Sequence, residues 1–375
     1  SYSRIKARNY REFKKIMDLH TNSSNNTIFA DAEGNVAYFH ANFIPKRDTS
    51  FDWRKPVDGS NPATEWKGLH TVDESPLVLN PPNGWVYNTN NWPYSAAGPN
   101  SPQPRNFPKY MDNGSESPRG LHALRVLSAR KQFTPQDVID AAFDTWLPSF
   151  DVLVPSLIAA YDASTTADSL KQRVKEQIAL LRAWDHRWSA TSVPTTLALF
   201  WGDELLRTLP AARASWTPSD TLLANGTTGE AKLRALATAS DRLVTDYGTW
   251  KTPWGDVNRF QRLTGDIVQP FSDAAPSIPI GFTSSRWGSL AAFGARPANG
   301  TKKYYGTSGN SFLAVVEFGD SVRARAVSAG GESGHSASKH FNDQADRYAT
   351  GNLRNVYFYR SQLAGHTERQ YHPGQ

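Results

Sequence analysis

Residues 25–47 read NNTIFADAEGNVAYFHANFIPKR. Two short runs rich in β-branched and aromatic residues, Thr27–Asp31 and Val36–His40, flank the tetrapeptide Ala32-Glu33-Gly34-Asn35. Such runs favour strands, and Gly34 and Asn35 tolerate the positive φ of a tight turn. The spacing predicts an antiparallel hairpin with polar groups at its two ends. Asn26 stands just before the first strand, and Pro45-Lys46-Arg47 follows the second.

The surroundings of the hairpin change character along the chain. Before it, Asn9 with Glu12 three residues on makes a box-like helix start, and Tyr10, Phe13 and Met17 fall on one face. After it come PVDGSNPATEWKG, LNPPNGWVYNTNNWP and GPNSPQPRNFP. Pro-rich loops of that length in a compact protein serve as walls of a site or as linkers. From Pro118 to Gly248 the pattern is helical. Thr134-Pro135-Gln136-Asp137 is a helix start, with Val138, Ala142 and Trp146 on one face and Pro148 as the stop. Further apolar stripes run through Leu170, Val174, Ile178 and Leu181, then Leu197, Trp201 and Leu205, then Leu233, Leu236 and Leu243. From Thr249 strands return. Phe312–Phe318 suits a buried strand, Gly319-Asp320 a turn, Val322–Val327 a half-exposed strand and Val356–Tyr359 one more. The partition is 1–117 for a hairpin with loops, 118–248 for a helical insertion and 249–375 for a return to the sheet. Strands flanking a helical block give an α+β fold.

Composition narrows the function. The 375 residues suffice for a large core, and no apolar run approaches a membrane span. The opening residues, SYSRIKARNY, show no signal-peptide pattern, as a processed chain would not. The net charge is +6, but Lys and Arg are scattered among acidic residues, which argues against nucleic acid as a partner. There is no cysteine, so no disulfide, thiol nucleophile or Cys-based metal site can form. None of the nine His residues has metal-motif spacing. The 12 Trp, 14 Tyr and 18 Phe suit either a large core or an apolar or sugar ligand.

Several strings together resemble one family. The hairpin, PVDGSNPATEWKG (56–68), LNPPNGWVYNTNN (79–91), ESPRGLHAL (116–124), LRAWDHRWSATSVPTTLALFW (181–201), YGTWKTPWGDVNRFQR (247–262), GNSFLAVVEFGD (309–320) and GGESGHSASKHFNDQ (330–344) occur in the order seen in the penicillin amidase family of N-terminal nucleophile hydrolases. The 247–262 string is similar to the acyl-homoserine-lactone and aculeacin acylase branch. The resemblance is to the C-terminal part of the family's β-chain. It implies an αββα four-layer sandwich with a helical insertion, a bacterial periplasmic or secreted location, and hydrolysis of small N-acyl amides through an acyl-enzyme. It implies no required cofactor. Some members hold a structural calcium ion, for which no ligand set can be assigned in this sequence.

The resemblance also assigns residues. Asn26 falls where the family has the side-chain amide that donates to the oxyanion, a role an amide fills without titrating. Its neighbour Asn25 leaves room for a one-residue slip. Arg47 falls where the family has an Arg beside the active site; read from the residues alone it is equally a loop-start Arg. His40 is either a donor behind the site or a hairpin residue. Phe29, Tyr38, Trp53 and Trp85 are candidates for an acyl pocket and equally for the core. The chain begins with Ser1, whose α-amino group can act as base for its own hydroxyl. However, SYSRIKARNYREF lacks the aliphatic strand that follows the family's nucleophile, and only twenty-four residues separate Ser1 from Asn26. The expectation is a nucleophile outside these 375 residues, supplied with the α-chain by the same precursor. The alternatives are an aromatic-rich binding module without catalysis, and a self-contained enzyme using Ser1.

Overall fold

The computed structural model describes residues 2–21, 24–40, 43–165, 169–209, 219–372 and 374; Ser1 lies outside them. The predicted hairpin forms from β1 (Thr27–Ala30) and β2 (Val36–Phe39), with Thr27 opposite Phe39 and Ala30 opposite Val36. In its turn Gly34 alone takes positive φ, at 85°. Asn35 acts differently from expectation. It closes the turn by donating to Asp31 from its main-chain N–H at 2.9 Å and from Nδ2 at 3.0 Å. β3 (Leu77–Leu79) joins the far side of β2, giving the order β1-β2-β3.

The two faces of this sheet have different covers. Helix α1 (Tyr10–Met17) starts at Asn9, whose Oδ1 accepts the Glu12 N–H at 3.0 Å. Met17 packs with Ala37, Phe39 and Val72, and Tyr10, Phe13 and Phe29 join them. Side chains alternate across a strand, so Tyr38 turns the other way. It packs with Val78, Ala96 and Ala97 from the following loops. The register puts Asn26 opposite His40, on this loop-covered face.

The helical block contains α2 (Pro118–Ser128), α3 (Pro135–Ala142), α4 (Ser149–Ala163), α5 (Ser169–Arg173), α6 (Lys175–Arg182), α7 (Val193–Thr208), α8 (Ser219–Gly226) and α9 (Gly229–Tyr247). The predicted stripes are its core: Val174, Leu181, Leu197, Trp201, Leu205, Leu236 and Leu243 are all fully buried. That core also takes in Trp254, Val257, Trp287 and Tyr304. Two boundaries differ from the sequence reading. The helix that begins at Thr134 ends at Ala142, not at Pro148. The Ala142 carbonyl accepts the Ala291 N–H at 3.0 Å, and Trp146 leaves to form a bridge with Arg187. The Leu170–Leu181 stripe spans two helices, interrupted at Val174.

Beyond α9, the short α10 (Trp254–Val257) leads into β4 (Asn258–Phe260). With β5 (Ile278–Pro279), β6 (Phe293–Pro297) and β7 (Tyr304–Gly309) it forms a sheet of order β5-β4-β7-β6, in which β4 and β7 run parallel. The third sheet has the order β10-β9-β8, from β8 (Phe312–Glu317), β9 (Arg323–Ser328) and β10 (Arg354–Val356). β8 and β9 pair around Gly319-Asp320 as read from the sequence. β8 is not a buried strand, since Phe312 is 62% exposed. The last strand ends at Val356, and Tyr359 instead accepts the Val322 N–H on its hydroxyl. α11 (Ala345–Thr350) packs against β9 and β5. Helices and several sheets make this a mixed α+β fold.

Candidate active site

The hairpin ends bring two polar side chains together. His40 Nδ1 lies 2.9 Å from Asn26 Oδ1. Asn26 Nδ2 donates to the main-chain carbonyl of Asn91 at 3.4 Å. A carbonyl only accepts, so the Asn91 contact identifies which end of the Asn26 amide is nitrogen. The other His40 nitrogen, Nε2, faces the Met111 carbonyl at 3.4 Å and Asp112 Oδ2 at 3.5 Å. His40 is 6% exposed. Burial pushes its pKa below the usual histidine value, while the Asp112 carboxylate and the Met111 carbonyl pull it back up.

Asn91 is itself held in a buried network. Its Nδ2 is within hydrogen-bond reach of Glu116 Oε1 at 2.9 Å, Ser95 Oγ at 3.1 Å and Tyr87 Oη at 3.2 Å. The Tyr87 hydroxyl donates to Glu116 Oε2 at 2.9 Å, and the Ser117 N–H donates to Oε1 at 2.8 Å. Burial, joined by the neighbouring Glu116 carboxylate, raises the Tyr87 pKa, so this hydroxyl stays a donor. A Cβ at Gly120 would collide with the Glu116 carboxylate as this network holds it. A fully satisfied polar network of this kind fixes its members in one arrangement.

Arg47 sits in a different setting. Its main-chain N–H donates to the Tyr110 hydroxyl at 3.1 Å, which also meets His70 Nε2 at 3.0 Å. Its guanidinium lies 5.2 Å from the Trp53 ring centre and 5.7 Å from that of Trp66. These are cation–π distances. Its Nε is buried and has no hydrogen-bond partner among the described residues. One loop serves both candidates, since Tyr110 holds the Arg47 backbone while Met111 and Asp112 face His40.

The four candidate pocket aromatics do not share one pocket. Phe29 packs under α1, 4.8 Å from Phe13. Tyr38 lies on the opposite sheet face, fully buried, and its hydroxyl has no hydrogen-bond partner among the described residues. Burial raises its pKa, helped by Asp112. Trp53 stacks beneath Arg47 and donates from Nε1 to the Asp48 carbonyl at 2.6 Å. Trp85 lies against Gly98, where a Cβ would come within 2.8 Å of its ring. A cavity of about 800 Å³ opens elsewhere, between β6, β7 and residues 267–271, and contains none of these candidates.

Among the described residues no group of three or more His, Asp or Glu could hold a metal ion. No helix among them is long and apolar enough to cross a membrane.

The penicillin amidase family model matches residues 1–365. The chain belongs to the penicillin amidase family. It is 28% identical over 193 residues to Penicillin G acylase of Escherichia coli, covering 48% of this chain and 20% of that one. It is 26% identical over 356 residues to the Penicillin acylase 2 proenzyme of Pseudomonas sp. (strain SE83), covering 85% and 42%. The fold resembles the thermostable Penicillin G acylase from Alcaligenes faecalis, with a TM-score of 0.61 and 18% identity over 99% of this chain and 71% of that chain. The chain thus spans less than half the length of these curated relatives.

Sequence reasoning named Asn26 and weighed His40, but did not name Asn91, Glu116, Tyr110, Met111 or Asp112, which the structure places around them. Asn91 ends the LNPPNGWVYNTNN string, which was a signal for the family but not for a role. Asp112-Asn113-Gly114 carries turn chemistry but no signal for a role.

Proposed function

We propose that this chain carries the oxyanion-binding part of an acylase that hydrolyses linear N-acyl amides. In this reading it is the C-terminal part of a β-chain. The nucleophile is the N-terminal Ser of a segment outside these 375 residues, cut with an α-chain from one precursor, in the bacterial periplasm or outside the cell. The serine hydroxyl attacks the amide carbonyl as its own α-amino group takes the proton. The tetrahedral intermediate puts negative charge on the former carbonyl oxygen, and an Asn26 N–H donates to it. Collapse passes the proton to the leaving amine and leaves an acyl-serine, which water then hydrolyses to the free acid. Arg47, beside Trp53 and Trp66, borders the site and supplies fixed positive charge.

The observation that carries this reading is the amide of Asn26, held with its nitrogen identified by the Asn91 carbonyl. Family membership supports the reaction class. The proenzyme named among the relatives, and the share of those relatives that the chain spans, support the partner chains. The helical character of Tyr2–Met17 supports a nucleophile other than Ser1, because that stretch contains no strand. Intact-mass analysis of the active protein, before and after labelling with a serine-directed sulfonyl fluoride, tests the proposal. The expected result is several co-purifying polypeptides, with the label on the N-terminal Ser of one of them. A lone active species of 41.5 kDa would overturn it.

A further inference from the structure

The proposed reaction needs an N–H, not a carbonyl, turned toward the substrate oxyanion. An asparagine amide has two ends of nearly equal size, so packing alone selects neither. Among the described contacts two act on the amide: the Asn91 carbonyl, which accepts from the amide nitrogen at 3.4 Å, and His40, whose Nδ1 meets the amide oxygen at 2.9 Å. The Asn91 contact is the longer, so the weight falls on His40. If the ring's proton sits on Nδ1, the imidazole donates to Asn26 Oδ1 and the N–H end stays outward. If the ring carries its proton only on Nε2, a bare Nδ1 faces an oxygen and two lone pairs oppose each other. The amide would then turn over, presenting oxygen both to the Asn91 carbonyl and to the oxyanion.

We propose that His40 is the positioning residue of the oxyanion donor, its Nδ1–H holding the Asn26 amide with the N–H end toward the substrate. This rests on the reading of Asn26 as that donor. The ring is fixed for the task. It is buried, it grows from β2 beside fully buried Phe39, and its far nitrogen points at the Met111 carbonyl and Asp112. Asp112 is the charged group facing it among the described residues, and it comes from the 107–117 loop. Burial disfavours the charged ring, and the single proton of the neutral one belongs with its shortest contact, Asn26 Oδ1 at 2.9 Å, rather than with the oxygens 3.4 and 3.5 Å from Nε2. Asp112 is in turn tied to its own turn, with Oδ1 accepting the Gly114 N–H at 2.6 Å. The contacts therefore run from the loop through the ring to the amide, and each member constrains the next.

The test uses the complete processed enzyme and one N-acyl amide substrate. His40→Asn carries an amide nitrogen near the Nδ1 position and can still donate to Asn26. His40→Gln carries its amide one bond further out, toward Met111. The expected result is a fall in kcat of about 10–100-fold for His40→Gln with KM within about twofold, and a kcat within about threefold of wild type for His40→Asn. Adding His40→Gln to Asn26→Ala should cost nothing further, because the group it positions is gone. Equal kcat for the two His40 variants, or additive losses in the double variant, would overturn the proposal. Because His40 is buried, the wild-type enzyme supplies a second readout that needs no variant to fold. ¹⁵N NMR of its imidazoles should show His40 Nδ1 protonated, and protonation on Nε2 alone would overturn the proposal. Full activity in Asn26→Ala would instead remove the underlying donor assignment, a failure the NMR result keeps distinct.

Discussion

The hairpin face and the helical block are held together by different means. The block buries fully enclosed Leu147, Phe150, Leu157, Leu197, Trp201 and Leu236 against one another. Its stability comes from area removed from water and from close packing. The loop-covered face of the hairpin has a small apolar cluster and a large polar one, with Asn26, His40, Asn91, Tyr87, Glu116 and Asp112 exchanging hydrogen bonds across loops. Such a network adds little net stability per bond but penalises every unsatisfied alternative. The contrast teaches that the helices provide a rigid mass, while the loops specify the position of one amide to within a hydrogen bond.

Four substitutions, each in the complete protein, break or sharpen this contrast. Trp201→Ala should have the largest effect on stability, a loss of about 3–5 kcal/mol in denaturant unfolding, because it opens a cavity in the centre of the block. Its remaining folded fraction should keep near-normal kcat. Asn91→Ala should cost about 2–3 kcal/mol by removing from the buried Glu116 carboxylate one of its charge-assisted donors. Unlike Trp201→Ala, it should also lower kcat in the folded enzyme, since it disturbs the carbonyl against which Asn26 rests.

The third change probes a charge within the block. Burial pushes the carboxyl of Asp203 up to about 6, although Arg207, Arg242 and Arg286 pull it down. A carboxyl whose folded pKa is raised holds its proton more tightly in the folded state. Its ionisation therefore removes stability as pH rises from about 4 through 6, and the whole cost is present above that window. Asp203→Asn should stabilise by on the order of 2 kcal/mol at about pH 8 and by nothing at about pH 3.5, read from thermal unfolding at both values. The smallest effect belongs to an exposed cap. Thr134→Ala removes the capping box of α3 and should cost about 1 kcal/mol with no change in kcat.

Much of the helical block could be read in the sequence because its information is periodic. Leu197, Trp201 and Leu205 recur at helical spacing, and Thr134-Pro135 announces a start. Even there the ends were hidden. Nothing near Ala142 reveals that the Ala291 N–H will take its carbonyl, 149 positions away in the chain. The hairpin was legible from its β-branched runs and Gly34. In the candidate site, family resemblance alone marked Asn26 and Arg47. Its partners Asn91 and Met111 come from loops with no period, and their contacts span separations of 65 residues from Asn26 and 71 from His40. The alternation of β2 places Tyr38 and Phe39 on opposite faces, yet aromatic content alone could not tell which side faced the site.

The central claim is that the Asn26 amide stabilises the oxyanion of an acyl-transfer reaction. The most direct measurement is kcat for an N-acyl amide in the complete enzyme carrying Asn26→Ala, with folding verified by an unchanged unfolding midpoint. The account predicts a loss of about 10²–10³-fold in kcat with little change in KM, the signature of a donor used chiefly in the transition state. A correctly folded Asn26→Ala enzyme with wild-type kcat would contradict it.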